Sequence, residues 1–302
     1  MGLLLKLSAA TTAAPASDAV VASHDINVLS GAAGMFLLVL GLACDAYVIA
    51  RFLRRRHSSG EPALKVQPKP WGLHELGVAL WAVMGLLLVS NAFYWTIAEV
   101  THRDILDLAS LMIGTEFVLR ICVLVGFGLF FHRRGVDVIQ ALGLRALPPG
   151  AALCWGVVFG FASLPPVGAI IALVETTCRA AGVELSDQPI VELFTTTDSW
   201  WLVATLVVFA VVVAPVFEEF FFRGFAYPAL KQRFGVRWAI AIVAVAFALS
   251  HLHWPSLGPL VVLAVGLCLV YELTNSLVVP ITMHAVFNAV TVARLLYLRM
   301  EP

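Results

Sequence analysis

Charged residues are scarce in this sequence. Only 13% of its 302 residues are Asp, Glu, Lys or Arg, against about 25% in an average soluble domain. A disordered chain needs much more charge and a nucleic-acid binder needs a basic excess, whereas 19 basic residues here balance 19 acidic ones. The hydrophobic share is 61%, so we predict a membrane protein that contacts lipid and does not bind nucleic acid.

Paired cysteines are lacking as well. The five cysteines are scattered, none forms a C-x-x-C pair, and four lie within long apolar runs. This pattern does not indicate a zinc ribbon or a disulfide framework, because buried apolar thiols account for it. The zinc-binding motif H-E-x-x-H is also missing, since no second histidine follows His74 and Glu75 at the required spacing.

Long apolar runs are what the sequence has instead. About 20 mostly apolar residues are needed to cross a bilayer. Eight segments meet this measure, approximately at residues 28–50, 74–97, 108–131, 149–174, 200–222, 237–253, 257–272 and 277–298. The alternating pattern of a membrane barrel is absent, so all should be helices. The predicted fold class is all-α, a polytopic integral membrane helix bundle of about eight transmembrane helices.

Three regions are predicted along the chain. Residues 1–27 have a short Leu run that is interrupted by a lysine and followed by Ala, Ser and Thr. We expect a flexible N-terminal arm there, with a cleaved signal peptide as the alternative. Residues 28–174 form a four-helix membrane region without a recognisable motif. A loop from Glu175 to Ser199 separates it from residues 195–298, which collect unusual polar residues.

Basic residues favour one side of the membrane. Thirteen of them fall in the loop 51–69, the loop after the third span and the turn after the fifth span, against five on the opposite side. Loops rich in Lys and Arg tend to stay in the cytoplasm. This distribution predicts a multi-pass protein of the cell membrane with its N-terminus outside.

The fifth span ends with two adjacent glutamates among phenylalanines. Glu218 and Glu219 lie in the run PVFEEFFFR, where ionisable groups are costly and therefore indicate a function such as general-base catalysis. Arg223 follows Glu219 by four residues, in the favourable order for a helix ion pair, so we expect it to hold Glu219 in place. Glu218 is rotated by about 100° and is predicted to be free to face a cavity.

The sixth span contributes a histidine at matching depth. Phe247 and His251 share one helix face, whereas His253 points away. If Gly235 is the tip of the turn between the two spans, Glu219 and His251 each lie 16 residues from it. Equal rise per residue in the two helices then brings the carboxylates and His251 to the same level.

The eighth span contributes a second histidine and a carboxamide. His284 and Asn288 are four residues apart and therefore share a face, while Pro280 suits the first turn of the helix. Two hydrogen-bond donors on one face are what an oxyanion site requires.

The three motifs together resemble those of a known family. In order and spacing they are similar to the signature of the CAAX prenyl protease and bacteriocin-processing (CPBP) family of intramembrane endopeptidases, also called Abi-like. The residues that carry the resemblance are Glu218-Glu219-x-x-x-Arg223, Phe247-x-x-x-His251 and His284-x-x-x-Asn288. It covers approximately residues 195–298 and implies a CPBP-type catalytic membrane domain there.

The resemblance also implies roles for these residues. Glu218 would be the general base that activates a water molecule, with His251 orienting or helping to deprotonate that water. His284 and Asn288 would stabilise the oxyanion. The second glutamate and the arginine would organise this site, and the substrate would be a membrane-anchored or prenylated peptide or protein.

The sequence leaves metal dependence open. The family is also often called a metalloprotease, and Glu218, His251 and His284 could in principle form a three-ligand zinc site. No cofactor is favoured, because the H-E-x-x-H motif is missing.

Two other functions fit parts of the pattern. A non-catalytic membrane scaffold or immunity-type protein of the same fold would keep the motifs without using them. A proton-coupled transporter would use the buried acids and histidines as a relay. Glu116 and Arg120 in the third span could join such a relay, although a plain ion pair between residues four apart explains them more simply.

Overall fold

The computed structural model describes residues 34–47, 66–102, 109–185 and 188–300, and within these ranges the chain is helical and contains no strand. The predicted all-α, polytopic membrane fold is confirmed. The N-terminal arm and most of the basic loop 51–69 lie outside the described residues.

Eleven α-helices are described. We number them α1 (Gly34–Tyr47), α2 (Leu73–Thr101), α3 (Ala109–Arg133), α4 (Val138–Ala141), α5 (Pro149–Ala180), α6 (Pro189–Thr196), α7 (Trp200–Val208), α8 (Ala214–Glu219), α9 (Tyr227–Leu249), α10 (Leu257–Thr274) and α11 (Val278–Met300). A 3₁₀ turn at Trp254–Ser256 precedes α10.

Six stretches of the described residues are long and apolar enough to cross a membrane. One of them, Trp200–Leu249, has 50 residues and covers both the fifth and the sixth predicted spans. It is interrupted at Gly235, where the backbone has φ 76° and ψ 172°. That conformation is accessible almost only to glycine, so the turn lies where the sequence predicted it.

The predicted loop from Glu175 to Ser199 is partly helical. α5 continues to Ala180, and α6 occupies Pro189–Thr196. Phe194 on α6 is buried, and Pro189 supplies a favourable first position for a helix. A search for runs of about 20 apolar residues overlooks a helix of 8 residues.

Two π-helical segments flank the glutamate motif. They cover Phe209–Val213 and Phe220–Ala226, on either side of α8. π-Helical turns are rare and are found mostly at functional sites.

Phenylalanines of the motif pack away from the acids. Phe221 and Phe225 join an aromatic core with Trp71, Phe127 and Phe131. The Trp71 indole Nε1 donates a hydrogen bond to the Phe225 carbonyl oxygen at 3.0 Å. This core fixes the helix that carries the glutamates against α2 and α3.

Two glycines bring α5 against α11. A Cβ added to Gly156 would lie 2.3 Å from the Thr282 Cβ, and one added to Gly160 would lie 2.7 Å from the Val286 Cβ. Small residues four apart allow the backbones of two membrane helices to approach closely. α5 therefore supports α11, the helix that carries His284 and Asn288.

Candidate active site

The buried centre of the site is a carboxylate held by two cationic or polar partners. Glu219 is completely buried, and its Oε1 accepts hydrogen bonds from the Arg223 guanidinium at 2.8 Å and from the His284 Nδ1 at 2.9 Å. The first bond is local to one helix, whereas the second joins α8 to α11. Glu219 thus links two of the three predicted motifs.

Arg223 is also completely buried and has two further contacts. Its second terminal nitrogen donates to the Ala264 carbonyl oxygen of α10 at 3.1 Å. Its guanidinium carbon lies 4.7 Å from the centre of the Phe247 ring, within the range of a cation–π contact. The arginine therefore contacts α8, α9 and α10 at once.

Glu218 lies beside this network but is not tied to it. Its side chain is 19% exposed, and its Oε2 has no hydrogen-bond partner among the described residues. The same oxygen is 3.9 Å from the His284 Nε2. This distance is too long for a direct hydrogen bond, and a single oxygen atom from another molecule can lie within reach of both groups.

Phe247 joins the two histidines. Its ring centre is 4.9 Å from that of His251 and 5.7 Å from that of His284. The His251 Nδ1 lies 2.8 Å from the Phe247 carbonyl oxygen. Because a carbonyl oxygen only accepts, Nδ1 carries the proton. The Nε2 of His251 is therefore the ring nitrogen that can accept a hydrogen bond.

Asn288 lies one turn beyond His284 and is held by the π-helical segment that follows α7. Its Nδ2 donates to the Ala210 carbonyl oxygen at 2.8 Å, within the first π-helical segment. One hydrogen of the Asn288 side-chain amide is therefore bonded to Ala210, and this amide carries a second hydrogen that can also be donated.

The six predicted site residues do not all meet directly. Four of them form one cluster, namely Glu218, Glu219, Arg223 and His284. His251 contacts the Phe247 ring, which also contacts His284. Asn288 is bonded instead to the backbone of the π-helical segment Phe209–Val213.

The candidate zinc ligands do not form a metal site. Within the part of the chain that the structure describes, no group of three His, Cys, Asp or Glu side chains is arranged to hold a metal ion. The Nδ1 atoms of His251 and His284 are engaged by a carbonyl oxygen and by Glu219, which leaves the Nε2 atom of each ring as its possible ligand. In this arrangement Glu218, His251 and His284 do not form a three-ligand zinc site.

A second polar cluster lies on the same helices and was not predicted. Glu272 of α10 is buried, and its Oε1 accepts hydrogen bonds from the Tyr227 hydroxyl at 2.6 Å and from the Lys231 Nζ at 2.5 Å. Lys231 also donates to the Val66 carbonyl oxygen at 2.7 Å. Nearby, burial lowers the pKa of Lys69, and the Lys231 charge lowers it further. The sequence signal for this cluster is the four-residue spacing that runs from Glu219 through Tyr227 to Lys231 and places these side chains on one helix face.

Glu116 and Arg120 pair within α3, as the simpler interpretation predicted. The Arg120 guanidinium also lies over the rings of Phe209 and Phe217, at 4.7 and 5.4 Å from their centres. This pair therefore packs against the helix that carries the candidate site.

Comparison with known proteins supports the predicted family. Residues 199–290 match the family model described as type II CAAX prenyl endopeptidase Rce1-like. No curated protein and no solved structure matched the chain. The matched residues include all three motifs and about a third of the chain. Residues 199–290 of this multi-pass membrane protein are therefore similar to the Rce1-like type II CAAX prenyl endopeptidases, a family of proteases.

Proposed function

We propose that this protein is an intramembrane endopeptidase that hydrolyses a peptide bond of a membrane-anchored or prenylated substrate, with Glu218 as general base. One observation carries the proposal. The Glu218 Oε2 has no partner among the described residues and lies 3.9 Å from the His284 Nε2, beside the Glu219–Arg223 ion pair. The family match supports a CAAX-type protease.

In the proposed reaction, a water molecule binds between Glu218 and His284. Glu218 accepts a proton from this water as the water oxygen attacks the carbonyl carbon of the scissile peptide bond. The resulting oxyanion accepts hydrogen bonds from the His284 Nε2 and from the second amide hydrogen of Asn288. Glu218 then passes the proton to the leaving nitrogen, and the C–N bond breaks.

The neighbouring charges support these roles. The His284 Nδ1 donates to Glu219, so an imidazolium is needed if Nε2 is to donate as well. Two carboxylates, one guanidinium and one imidazolium then sum to zero charge, which suits a buried site. Glu219 and Arg223 act as positioning residues, and the His251 Nε2 helps to orient the water.

The topology forms part of the proposal. We place the catalytic region at residues 195–298, the N-terminus outside the cell membrane and the Gly235 turn in the cytoplasm, because basic residues flank this turn. Labelling of single introduced cysteines from either side of sealed vesicles tests this orientation.

The activity is tested with purified protein in lipid nanodiscs and a farnesylated peptide that ends in a CaaX sequence. We expect cleavage in H₂¹⁸O to place one ¹⁸O atom in the new carboxyl group. Glu218→Gln should lower kcat by about 10²–10⁴-fold, the usual contribution of a general base. Treatment with a chelator should leave the rate unchanged.

Glu192→Gln is the matched control, because Glu192 is exposed on α6. Its rate should equal that of the unmodified protein. Full activity of the Glu218 variant would contradict the mechanism. Absence of cleavage with every prenylated peptide, in protein that unfolds normally, would favour a scaffold of the same fold.

A further inference from the structure

Polar residues continue from the candidate active site to the Gly235 end of the bundle. Glu219, Arg223, Tyr227 and Lys231 follow each other at intervals of four residues on one helix. Contacts to α10 keep a constant register, because Arg223 to Ala264 and Lys231 to Glu272 both join residues 41 apart. The row of four polar side chains therefore lies along one face of α10, from the Ala264 carbonyl oxygen to Glu272, and we call it the polar strip.

At its Gly235 end, the strip meets the last turn of α10 and the two residues that follow this helix. Tyr271, Glu272 and Ser276 are each at most 1% exposed, and Asn275 ends the helix beside them. We call the residues of both helices the polar column, namely Glu219, Arg223, Tyr227, Lys231, Tyr271, Glu272, Asn275 and Ser276.

Unpaired buried polar atoms are concentrated in the polar column. Eight buried side-chain nitrogen or oxygen atoms have no hydrogen-bond partner among the described residues. Six of them belong to the column, namely Glu219 Oε2, Arg223 Nε, Tyr271 OH, Glu272 Oε2, Asn275 Oδ1 and Ser276 Oγ. A buried polar group without a partner is costly and rare, and ordered water is the usual partner when protein supplies none.

The chemistry of these atoms favours water over an ion. The column already holds two carboxylates and two cationic side chains, so an added ion would unbalance its charge. Its unpaired atoms include a donor, acceptors and two hydroxyl groups. Water is both donor and acceptor and can satisfy all of them.

We propose that the polar column is an internal water-binding site that connects the candidate active site with solvent at the Gly235 end. Lys231, which is 18% exposed, marks its mouth. The suggested use of this water rests on the proposed function, because each hydrolysed peptide bond consumes one water molecule and the surrounding helices are apolar. The binding of water does not depend on proteolysis.

X-ray radiolytic labelling tests the site directly. A short pulse makes hydroxyl radicals from bound water, and these radicals label the nearest side chain. Tyr271 is completely buried, and its hydroxyl has no hydrogen-bond partner within the described ranges. Tyr94 is the matched control, because it is similarly buried but its hydroxyl donates to the Met112 carbonyl oxygen. We expect Tyr271 to be labelled several-fold faster than Tyr94.

Variants and isotope exchange complete the test. Ser276→Val should lower the labelling of Tyr271, whereas Ser163→Val, at a buried serine bonded to the Gly160 carbonyl oxygen of its own helix, should not. Rapid mixing with H₂¹⁸O before the pulse should place ¹⁸O on Tyr271. Equal labelling of the two tyrosines, or incorporation of ¹⁶O alone, would overturn the proposal. Labelling without peptidase activity would refute the proposed function and leave the column intact.

Discussion

Replacing Glu219 by glutamine removes the charge at the centre of the site and little else. The carboxylate is completely buried and accepts hydrogen bonds from Arg223 and His284. Glutamine keeps the size and one acceptor oxygen, but the buried guanidinium loses its compensating charge. Removing one partner of a buried ion pair costs about 3–5 kcal/mol. We expect the free energy of unfolding of Glu219→Gln to fall by this amount.

Two companion variants separate charge from shape. Glu218→Gln should change the free energy of unfolding by less than about 1 kcal/mol, because the Glu218 Oε2 has no partner among the described residues. Glu219→Gln combined with Arg223→Met removes both charges, and replacement of a whole buried pair is often neutral. The double variant should therefore recover most of the lost stability.

Unfolding in mixed detergent micelles, followed by the fluorescence of the eight tryptophans, measures all three variants. Peptidase activity is read in parallel. We expect Glu218→Gln to be stable and inactive, whereas Glu219→Gln is unstable. The reasoning fails if Glu219→Gln is as stable as the unmodified protein, or if the double variant loses the sum of the two single effects.

Three further changes test the packing around the site. Gly156→Ala should destabilise the protein by about 1–3 kcal/mol in the same unfolding assay, because its methyl group would overlap α11. Gly168→Ala on the same helix, where nothing lies within 4 Å, should have little effect. Tyr227→Phe should cost about 1.5–3 kcal/mol, the range for a hydrogen bond to a charged group such as Glu272. Gly235→Ala should cost about 1–3 kcal/mol because of the backbone conformation at the turn, and limited proteolysis should then cut there faster.

Local patterns in the sequence predicted much of this arrangement. The Glu219–Arg223 ion pair follows from four-residue spacing on one helix, and the structure contains it. The turn at Gly235 also followed from the sequence, whereas the meeting of His251 with the carboxylates stays a prediction, because His251 contacts the Phe247 ring of the helix that precedes it. These inferences succeeded because helical rise and rotation are fixed quantities.

Contacts that depend on irregular backbone were not predictable. Asn288 was expected to join His284 in a donor pair, but one of its amide hydrogens binds the carbonyl oxygen of Ala210 in a π-helical segment. Spacing in the sequence does not reveal where a helix widens by one residue. Likewise, the burial of Glu272 depends on the register between two helices. The catalytic roles of the six site residues stay predictions.

The widened helix after α8 makes the chain length adjustable at one point. A π turn holds one residue more than an α turn, so deleting one residue within Phe220–Ala226 would convert the wide turn to an ordinary α turn. Glu218 on one side and Lys231 on the other would then keep their orientations. The same deletion in a regular turn of the helix would rotate everything beyond it by about 100°, so relatives of different length should differ within this segment.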